Sequence, residues 1–248
     1  MKPKPNDRKS VLEDMEKLKQ KREDRKNKDF NYKADDYINL IKKKKQSIFL
    51  EKEEHASSAN SKIFVCVRKR PINKKEVNNG EIDCVSVVNP RILVHECKIK
   101  IDGITKFIED QDFLFDNCFN EKQETSDLYK YSVYPNIPLI LKGGTVTCFA
   151  YGQTGSGKTF TMKGIQNFAI ESLFDSVKAN EKNFEMYVSF FEIYGGRLFD
   201  LLNNKKKLQV LEDKNQKVQV FGLEERVAPT PEDMYNIIDL ANSVRTTH

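Results

Sequence analysis

The sequence predicts an α/β fold, and three observations support this prediction. An apolar run over 145–150 precedes a glycine-rich stretch, Gly152-Gln153-Thr154-Gly155-Ser156-Gly157-Lys158-Thr159, and a helical pattern follows it. Short β-rich runs alternate with helical patterns along the rest of the chain, as in layered α/β domains. The chain has 248 residues, 38% of them hydrophobic, which is enough for one sizeable domain with an added arm. We therefore expect a central mixed sheet with helices on both faces.

Residues 1–60 are expected to form a basic arm outside this domain. Their 17 Lys and Arg against 12 Asp and Glu account for the whole net charge of +5. Apolar residues are too sparse there to form a core, but their spacing between Val11 and Leu18 predicts that part of the arm is helical. The lysine run at 42–45 is interpreted as a solvated patch, with a polyanion contact as the alternative.

The globular pattern begins at Lys62 with short strand candidates and a helix. The strands are predicted over 63–67, 85–88, 92–95 and 112–115. The helix is predicted to begin near Thr125 and to end at 141, before a Gly-Gly stop signal. Pro135 and Pro138 should kink it, because proline lacks the N–H that a helix interior needs.

Beyond the glycine-rich stretch, the patterns predict four further elements. They are a helix over 166–178, a strand over 184–194, a hairpin over 208–220 and a helix over 231–244. Asp239, in Asp239-Leu240-Ala241-Asn242, is a candidate for a metal-holding acid. Such an acid should end a buried strand, whereas Asp239 lies within a helical pattern, so we interpret it as a helix residue.

The glycine-rich stretch fits the phosphate-loop pattern G-x-x-x-x-G-K-[ST] in full. Its glycines would let successive N–H groups turn toward a β-phosphate, and the positive end of the following helix would add to them. Lys158 would neutralise phosphate oxygens, and the Thr159 hydroxyl would bind Mg²⁺. A chance match in a glycine-rich turn is the alternative, but the strand and helix patterns on either side favour a nucleotide site.

Composition excludes several other classes of protein. No apolar run approaches the roughly 20 residues of a membrane span, and residues 1–20 lack the apolar core of a signal peptide. The cysteines are scattered without a CxxC pair, which favours reduced thiols over disulfides or a zinc site. They are Cys66, Cys84, Cys97, Cys118 and Cys148. We therefore expect a protein of the cell interior with no membrane partner.

The residues around the loop resemble the kinesin motor domain. The segment from Phe149 to Met162 reads F-A-Y-G-Q-T-G-S-G-K-T-F-T-M and is similar to the kinesin phosphate loop. The resemblance implies a P-loop NTPase of kinesin type with ATP and Mg²⁺ as ligands. In it, the whole stretch from Gly152 to Thr159 would bind nucleotide, and Lys158 would be the one catalytic residue of this chain.

A second segment, Arg68-Lys69-Arg70-Pro71, is similar to the R-x-R-P segment with which kinesins hold the adenine. The resemblance implies that Arg68, Arg70 and Pro71 line the base and that Phe160 stacks on it. Flat guanidinium, proline and aromatic faces can all pack against a purine. A polar strand end and a core phenylalanine are the alternative.

Three longer stretches, 65–76, 93–96 and 190–202, resemble the internal-motor class of kinesins, class thirteen, which removes tubulin from microtubule ends. That class carries a Lys-Val-Asp hairpin tip that contacts tubulin, and Lys100-Ile101-Asp102 stands in the corresponding place with Ile for Val. Glu212-Asp213-Lys214 resembles a second tubulin-contacting loop. The basic arm matches the neck before the motor. An ordinary charged tip and turn are the alternatives for the two tripeptides.

The resemblance runs from about Ser61 to Thr247, so residues 61–248 would be the N-terminal part of a motor domain. Kinesins continue with Asn-x-x-Ser-Ser-Arg-Ser-His and a strand ending in Asp-Leu-Ala-Gly-x-Glu, which position water and sense the γ-phosphate. These motifs do not occur here, which implies an incomplete sheet and leaves ATP hydrolysis by this chain alone open.

Two interpretations therefore stay open. One is an ATP-driven motor domain that depolymerises microtubules, and the other is a fragment that binds nucleotide or tubulin without hydrolysis. A P-loop GTPase or kinase of another family would leave the R-x-R-P segment unexplained. Lys-rich charge cannot by itself distinguish tubulin from nucleic acid, but the resemblance favours tubulin. It also implies a place on cytoplasmic microtubules, the spindle among them, and indicates no oligomeric state.

Overall fold

A computed structural model describes residues 36–48, 52–59, 61–180 and 184–245 of the chain. It divides into two compact units, unit 1 (Met1–Ser132) and unit 2 (Val133–His248). The helical pattern predicted between Val11 and Leu18 lies outside the described residues. The boundary expected at residue 60 stays a prediction.

Unit 1 contains three helices and five strands in its described part. In chain order these are α1 over 36–46, β1 (Cys66–Arg68), α2 (Lys74–Asn78), β2 (Val85–Val88), β3 (Arg91–Ile99), β4 (Lys106–Leu114), β5 (Asn117–Phe119) and α3 (Thr125–Ser132). Strands β2, β3 and β4 form an antiparallel sheet in that order, and β1 pairs with β5 in parallel.

The β3–β4 hairpin is longer than the sequence predicts. Each strand has nine residues, and His95 lies opposite Asp110 in the register. Ile92, Leu93 and His95 of β3 are buried, whereas the outer residues of the two strands, 96–99 and 106–109, are half-buried or exposed. The sequence predicts only the base of this hairpin, over 92–95 and 112–115, and both strands continue outward from there.

A segment without regular secondary structure, 52–59, is held by the side chains of two buried asparagines. Asn117 Oδ1 accepts from the Ala56 N–H at 2.9 Å, and Asn117 Nδ2 donates to the Ala56 carbonyl at 2.8 Å. Asn89 Nδ2 donates to the carbonyls of Glu53 and Glu54 at 3.1 and 3.2 Å. These bonds replace the ladder that a neighbouring strand would provide, and they anchor the segment to β5 and to the β2–β3 turn.

Helix α1 packs in the same unit, with Ile41 only 3% exposed. Lys44 forms an ion pair with Asp110 at 3.0 Å, and Lys45 forms one with Asp83 at 3.0 Å. These two pairs correct the interpretation of the lysine run as a solvated patch. Lys44 and Lys45 form ion pairs within unit 1, and only Lys42 and Lys43 of the run are exposed.

Unit 2 begins with a 3₁₀ turn, Tyr134–Asn136, and continues with three helices and six strands in its described part. These are α4 (Ile137–Leu141), α5 (Lys158–Lys178), β6 (Tyr187–Val188), β7 (Phe191–Tyr194), β8 (Arg197–Asp200), β9 (Lys206–Glu212), β10 (Val218–Phe221), β11 (Arg226–Val227) and α6 (Pro231–Val244). Strands β7 to β10 form an antiparallel sheet, and β6 pairs with β11. Asp239 lies within α6, so its interpretation as a helix residue is confirmed.

The core of unit 2 lies where α5, α6 and the β6–β11 pair meet. Its buried members are Ile170, Phe174, Ala228, Met234 and Ile238. Further along the same face of α6, Leu201, Leu202 and Ala241 form a second buried group. The 3.6-residue apolar spacing that predicted both helices therefore identifies the faces that they bury.

The predicted strand over 145–150 does not form. The segment has no regular secondary structure, and Phe149 is 82% exposed. A β-rich apolar run becomes a strand only when neighbouring strands pair with it, and none of the described strands does so. The described strands form four separate sheets, so one central sheet is not confirmed for the described part of the chain.

The predicted helix from Thr125 to 141 is interrupted rather than kinked. Helix α3 ends at Ser132, and Pro135 and Pro138 each lie in the first turn of a short helical segment. Proline is tolerated at that position because the first N–H groups of a helix have no intrahelical partner. The Gly143-Gly144 stop is confirmed: Gly143 has a φ of 85°, and its N–H bonds the Ile140 carbonyl.

Replacing Asn117 with Ala should destabilise the protein by about 2 kcal/mol, because two hydrogen bonds to Ala56 are lost at a site that is fully buried. Urea unfolding would measure the change, and Asn78→Ala at an exposed position is the control. Equal midpoints for the two variants would show that the Asn117 bonds contribute little.

Stability should also fall as the pH drops from about 7 toward 5, because of His55. Burial, together with the charge of Lys52, lowers the pKa of His55 although Asp127 opposes this. In the unfolded chain His55 takes up a proton near pH 6.5, whereas in the folded chain its imidazole stays neutral to lower pH. The free energy of unfolding that this difference contributes is therefore present above pH 6.5 and is lost as the pH falls below it. Thermal unfolding of the His55→Gln variant should show a flatter pH profile, and an unchanged slope would contradict this assignment.

Candidate functional site

The glycine-rich stretch forms a tight loop that leads directly into α5. Three of its residues have positive φ: Gly152 at 150°, Gly155 at 80° and Gly157 at 94°. Gly157 is the N-cap of α5, and its carbonyl accepts the Thr161 N–H at 3.0 Å. Glycine is needed at these positions because other residues rarely adopt such backbone angles.

The backbone of Gly152 also approaches Ser156 closely. A Cβ atom at Gly152 would lie 2.7 Å from Ser156 Oγ, which is closer than real Cβ contacts allow. The loop is closed further by the Ser156 N–H, which donates to the Gln153 carbonyl at 3.2 Å. The backbone angle at 152 therefore requires glycine, and a side chain there would also force Ser156 to move.

The ammonium group of Lys158 folds back over this loop. Lys158 Nζ donates to the carbonyls of Gly152 and Gln153, both at 2.8 Å. The positive charge is therefore held at the mouth of the loop, next to the N-terminal end of a 21-residue helix. Both features favour an anion, and phosphate oxygens would compete with the two carbonyls for the same donor.

The remaining loop residues fit a nucleotide with Mg²⁺. Thr159 is exposed in the first turn of α5, one residue after Lys158, and Thr154 is exposed at the loop tip. The side chain of Phe160 is 70% exposed at the start of the same helix. All nine residues predicted between Gly152 and Phe160 thus lie together, with a positive donor, a hydroxyl and an accessible aromatic ring on one helix end.

Arg68 lies in unit 1 and is held by polar groups near the start of α3. Its Nη1 donates to Thr125 Oγ1 at 2.8 Å, and its Nη2 donates to the Gln123 carbonyl at 3.3 Å. Burial lowers the pKa of Arg68, while the charge of Asp127 acts in the opposite direction. Through these hydrogen bonds, Arg68 connects β1 to the start of α3.

Arg70 is exposed and forms a two-bond ion pair with Glu76. The distances are 2.9 Å from Nη1 to Oε2 and 2.5 Å from Nη2 to Oε1, and Nη1 also donates to the Pro71 carbonyl at 2.9 Å. The pair raises the pKa of Arg70 and, with the Asn73 N–H, lowers the pKa of Glu76. The ion pair with Glu76 uses the edge of the Arg70 guanidinium. The orientation of the group is therefore fixed, while its two flat faces can still stack on a ring.

Lys100, Ile101 and Asp102 form the tip of the β3–β4 hairpin, as predicted from their position. The Asp102 carboxylate accepts from the N–H groups of Ile104 and Thr105 at 2.9 and 2.8 Å and from the Thr105 hydroxyl at 2.5 Å. These bonds lower the pKa of Asp102. The side chain of Ile101 is fully exposed. Asp102 therefore shapes the turn, and Ile101 is the part that extends from it.

Glu212, Asp213 and Lys214 lie at the β9–β10 turn of unit 2. Here too, an aspartate accepts hydrogen bonds from backbone N–H groups of its own turn. Asp213 Oδ1 accepts from the N–H groups of Asn215 and Lys217 at 2.8 and 2.9 Å, and these bonds lower the pKa of Asp213. The turn residues themselves are largely exposed. Here too the aspartate holds the turn, and the neighbouring side chains face solvent.

Sequence reasoning did not identify Glu76 or Thr125, the partners of the two arginines. A signal for Glu76 was present: Asn73 and Glu76 have the spacing of a capping box, and both of its hydrogen bonds form at α2. Thr125 gave no signal, because it is 57 residues from Arg68 in sequence and meets it only through folding.

None of the helices within the described ranges has the length and apolar character needed to cross a bilayer. In those same ranges, no three His, Cys, Asp or Glu side chains are grouped so that they could hold a metal ion. A Mg²⁺ ion at Thr159 would accordingly take most of its ligands from phosphate oxygens and water.

The family model of the kinesin motor domain matches residues 68–248, which is most of the chain. The match includes the phosphate loop, the R-x-R-P segment, the two turns at 100–102 and 212–214, and the last helix. The chain therefore belongs to the kinesin motor domain family, whose members are nucleotide-binding motors of the microtubule cytoskeleton.

Proposed function

We propose that this chain binds MgATP in the loop over Gly152–Thr159 and serves a kinesin of the microtubule-depolymerising class, coupling ATP hydrolysis to the removal of tubulin from microtubule ends. The observation that carries the proposal is the ammonium of Lys158, held over a glycine loop at the N-terminus of α5. Residues 61–248 would be the motor part, built on one central sheet, and residues 1–60 the neck-like arm. The site of action would be cytoplasmic microtubules, those of the spindle included.

Each residue of the loop has a defined part in this proposal. The N–H groups presented by the glycines would bind the β-phosphate, and Lys158 would neutralise its oxygens and those of the γ-phosphate. Thr159 would hold Mg²⁺, which withdraws charge from the phosphates when it is bound. The adenine contacts that the kinesin resemblance implies for Arg68, Arg70, Pro71 and Phe160 stay a prediction from the sequence.

The depolymerising class is supported by the hairpin tip and by the arm. Ile101 extends fully exposed from a turn that the Asp102 carboxylate holds rigid, and Lys100 adds a positive charge beside it. A fixed apolar tip with a flanking cation fits an acidic protein surface with an apolar crevice, such as tubulin. The exposed lysines Lys42 and Lys43, and Lys214 in the second turn, would add long-range attraction.

The proposal is tested by phosphate release from ATP with and without tubulin, together with sedimentation of stabilised microtubules. Release that tubulin stimulates, with loss of polymer, supports a depolymerising motor. ATP binding with no release at any tubulin concentration supports the alternative, a fragment that binds nucleotide or tubulin without hydrolysis. Failure to bind ATP would contradict both.

Replacing Lys158 with Ala should weaken ATP binding by about 10- to 100-fold, because a charge-assisted hydrogen bond to phosphate is lost. Titration with a fluorescent ATP analogue would measure the affinity. Lys163→Ala is the matched control, since Lys163 is an exposed lysine on the same helix, outside the loop. Equal affinities for the two variants would remove Lys158 from the site.

Replacing Ile101 with Asp should leave ATP binding unchanged and weaken tubulin binding or depolymerisation. It removes the exposed apolar tip and retains the Asp102 bonds that shape the turn. Leu114→Asp is the control, because Leu114 is 64% exposed at the opposite end of the same hairpin. Microtubule cosedimentation would measure the effect, and identical behaviour of the two variants would contradict a role for the tip.

A further inference from the structure

Helix α1 contacts the β3–β4 hairpin close to its tip. Lys106, the first residue of β4, forms an ion pair with Asp36 of the helix at 2.7 Å, and its side chain is 17% exposed. Its Nζ also lies 5.3 Å from the centre of the Tyr37 ring. The Tyr37 hydroxyl donates to the Lys98 carbonyl of β3 at 3.2 Å. Two neighbouring residues of one helix therefore hold both strands immediately below the tip.

The helix and the tip also border an open, shallow cleft of about 350 Å³. Its lining residues are Asp36, Asn39, Leu40 and Lys43 of α1, and Ile104 and Lys106 of the hairpin. Ile104 belongs to the turn itself, because its N–H donates to Asp102. The helix thus faces the turn across this cleft and touches the hairpin at the rim.

A second set of contacts connects α1 to the middle of the hairpin. Asp110 Oδ2 pairs with Lys44 at 3.0 Å, and Asp110 Oδ1 lies 2.8 Å from His95 Nδ1. On the other side of the ring, His95 Nε2 lies 2.7 Å from Ser86 Oγ. Burial opposes ionisation of Asp110, but the bonds from His95 and Lys44 outweigh it and lower its pKa.

An ionised Asp110 accepts hydrogen bonds only, so His95 Nδ1 donates to it. The other ring nitrogen, Nε2, forms a hydrogen bond with the Ser86 hydroxyl. The side chain of His95 is completely buried. One polar chain thus runs from Lys44 of the helix through all three strands of the β2–β3–β4 sheet. The position of α1 is linked to the sheet at two points about two helical turns apart.

We propose that α1 positions the hairpin tip, with Asp36, Tyr37 and Lys106 as positioning residues that hold Ile101 in the orientation in which it meets tubulin. This rests on the proposed function of the tip. A hairpin held only by its own strands bends and twists at its outer end, because few side chains pack there. The α1 contacts suppress that motion directly below the turn, which lowers the entropy lost when the tip docks.

The test is a charge exchange in the full chain. Asp36→Lys breaks the pair with Lys106, Lys106→Asp breaks it from the other side, and the double variant restores attraction with the charges reversed. Amide hydrogen exchange at residues 100–105 should be about two- to fivefold faster in each single variant and near the original rate in the double variant. The difference should shrink in high salt, because salt screens an exposed pair.

The matched control is a pair on the same hairpin that does not involve α1. Arg91 and Asp112 form an ion pair at 2.5 Å near the hairpin base, and both side chains are 42% exposed. Arg91→Asp should leave exchange at the tip unchanged. The affinity for tubulin should fall by a similar factor in the Asp36 and Lys106 single variants and recover in the double variant, while ATP affinity stays constant.

Unchanged exchange at 100–105 in both single variants would overturn the proposal, and so would faster exchange that the double variant does not reverse. Faster exchange with unchanged tubulin affinity would overturn the link between tip position and binding. The tip's own role is judged separately. If Ile101→Asp binds tubulin as well as the original chain, the proposed function of the tip fails, and the exchange data still decide whether α1 holds it.

Discussion

Much of unit 1 depends on two buried asparagine side chains that bind the backbone of 52–59. A primary amide carries a donor and an acceptor on one plane, so Asn117 closes a two-bond ring with Ala56 as a neighbouring strand would. Asn89 binds the same segment, and its own Oδ1 is fixed by the Cys118 N–H at 2.7 Å. The segment precedes β1 and follows α1 in sequence. Anchoring it restricts where the preceding helix can lie.

The part of the fold that could be predicted from sequence is the part determined by neighbouring residues. Helix α5 and the β9–β10 hairpin follow from apolar spacing and turn residues, and the β7–β8 turn could have been found from Gly195-Gly196, both with positive φ. Sheet membership could not be predicted, because it depends on which strands meet. The run over 145–150 shows this: its composition is that of a strand, yet no described strand pairs with it.

The same distinction applies to the candidate site. The phosphate loop is contiguous in sequence, so its motif contains most of the information needed to build it, including the close approach at Gly152. Arg68 and Asp102 were identified as contact residues, but their hydrogen-bond partners were not. Thr125 is 57 residues from Arg68 and reaches it only after folding. The Thr105 amide is three residues from Asp102, and this contact is a local one that an aspartate in a turn could have indicated. The structure therefore adds a second role to each residue. Arg68 connects β1 to the start of α3, and Asp102 shapes the turn from which Ile101 extends.

The bonds from Lys158 to the carbonyls of Gly152 and Gln153 have a consequence for ligand selectivity. An incoming anion must exchange with two acceptors that are already well placed, so the net gain depends on how many oxygens it offers. A chloride ion provides one diffuse acceptor and gains little by the exchange. A polyphosphate provides several oxygens on one framework and can replace both carbonyls at once. In the proposed nucleotide site, the two contacts of Lys158 with its own loop would therefore favour a ligand with several linked oxygens over a simple anion.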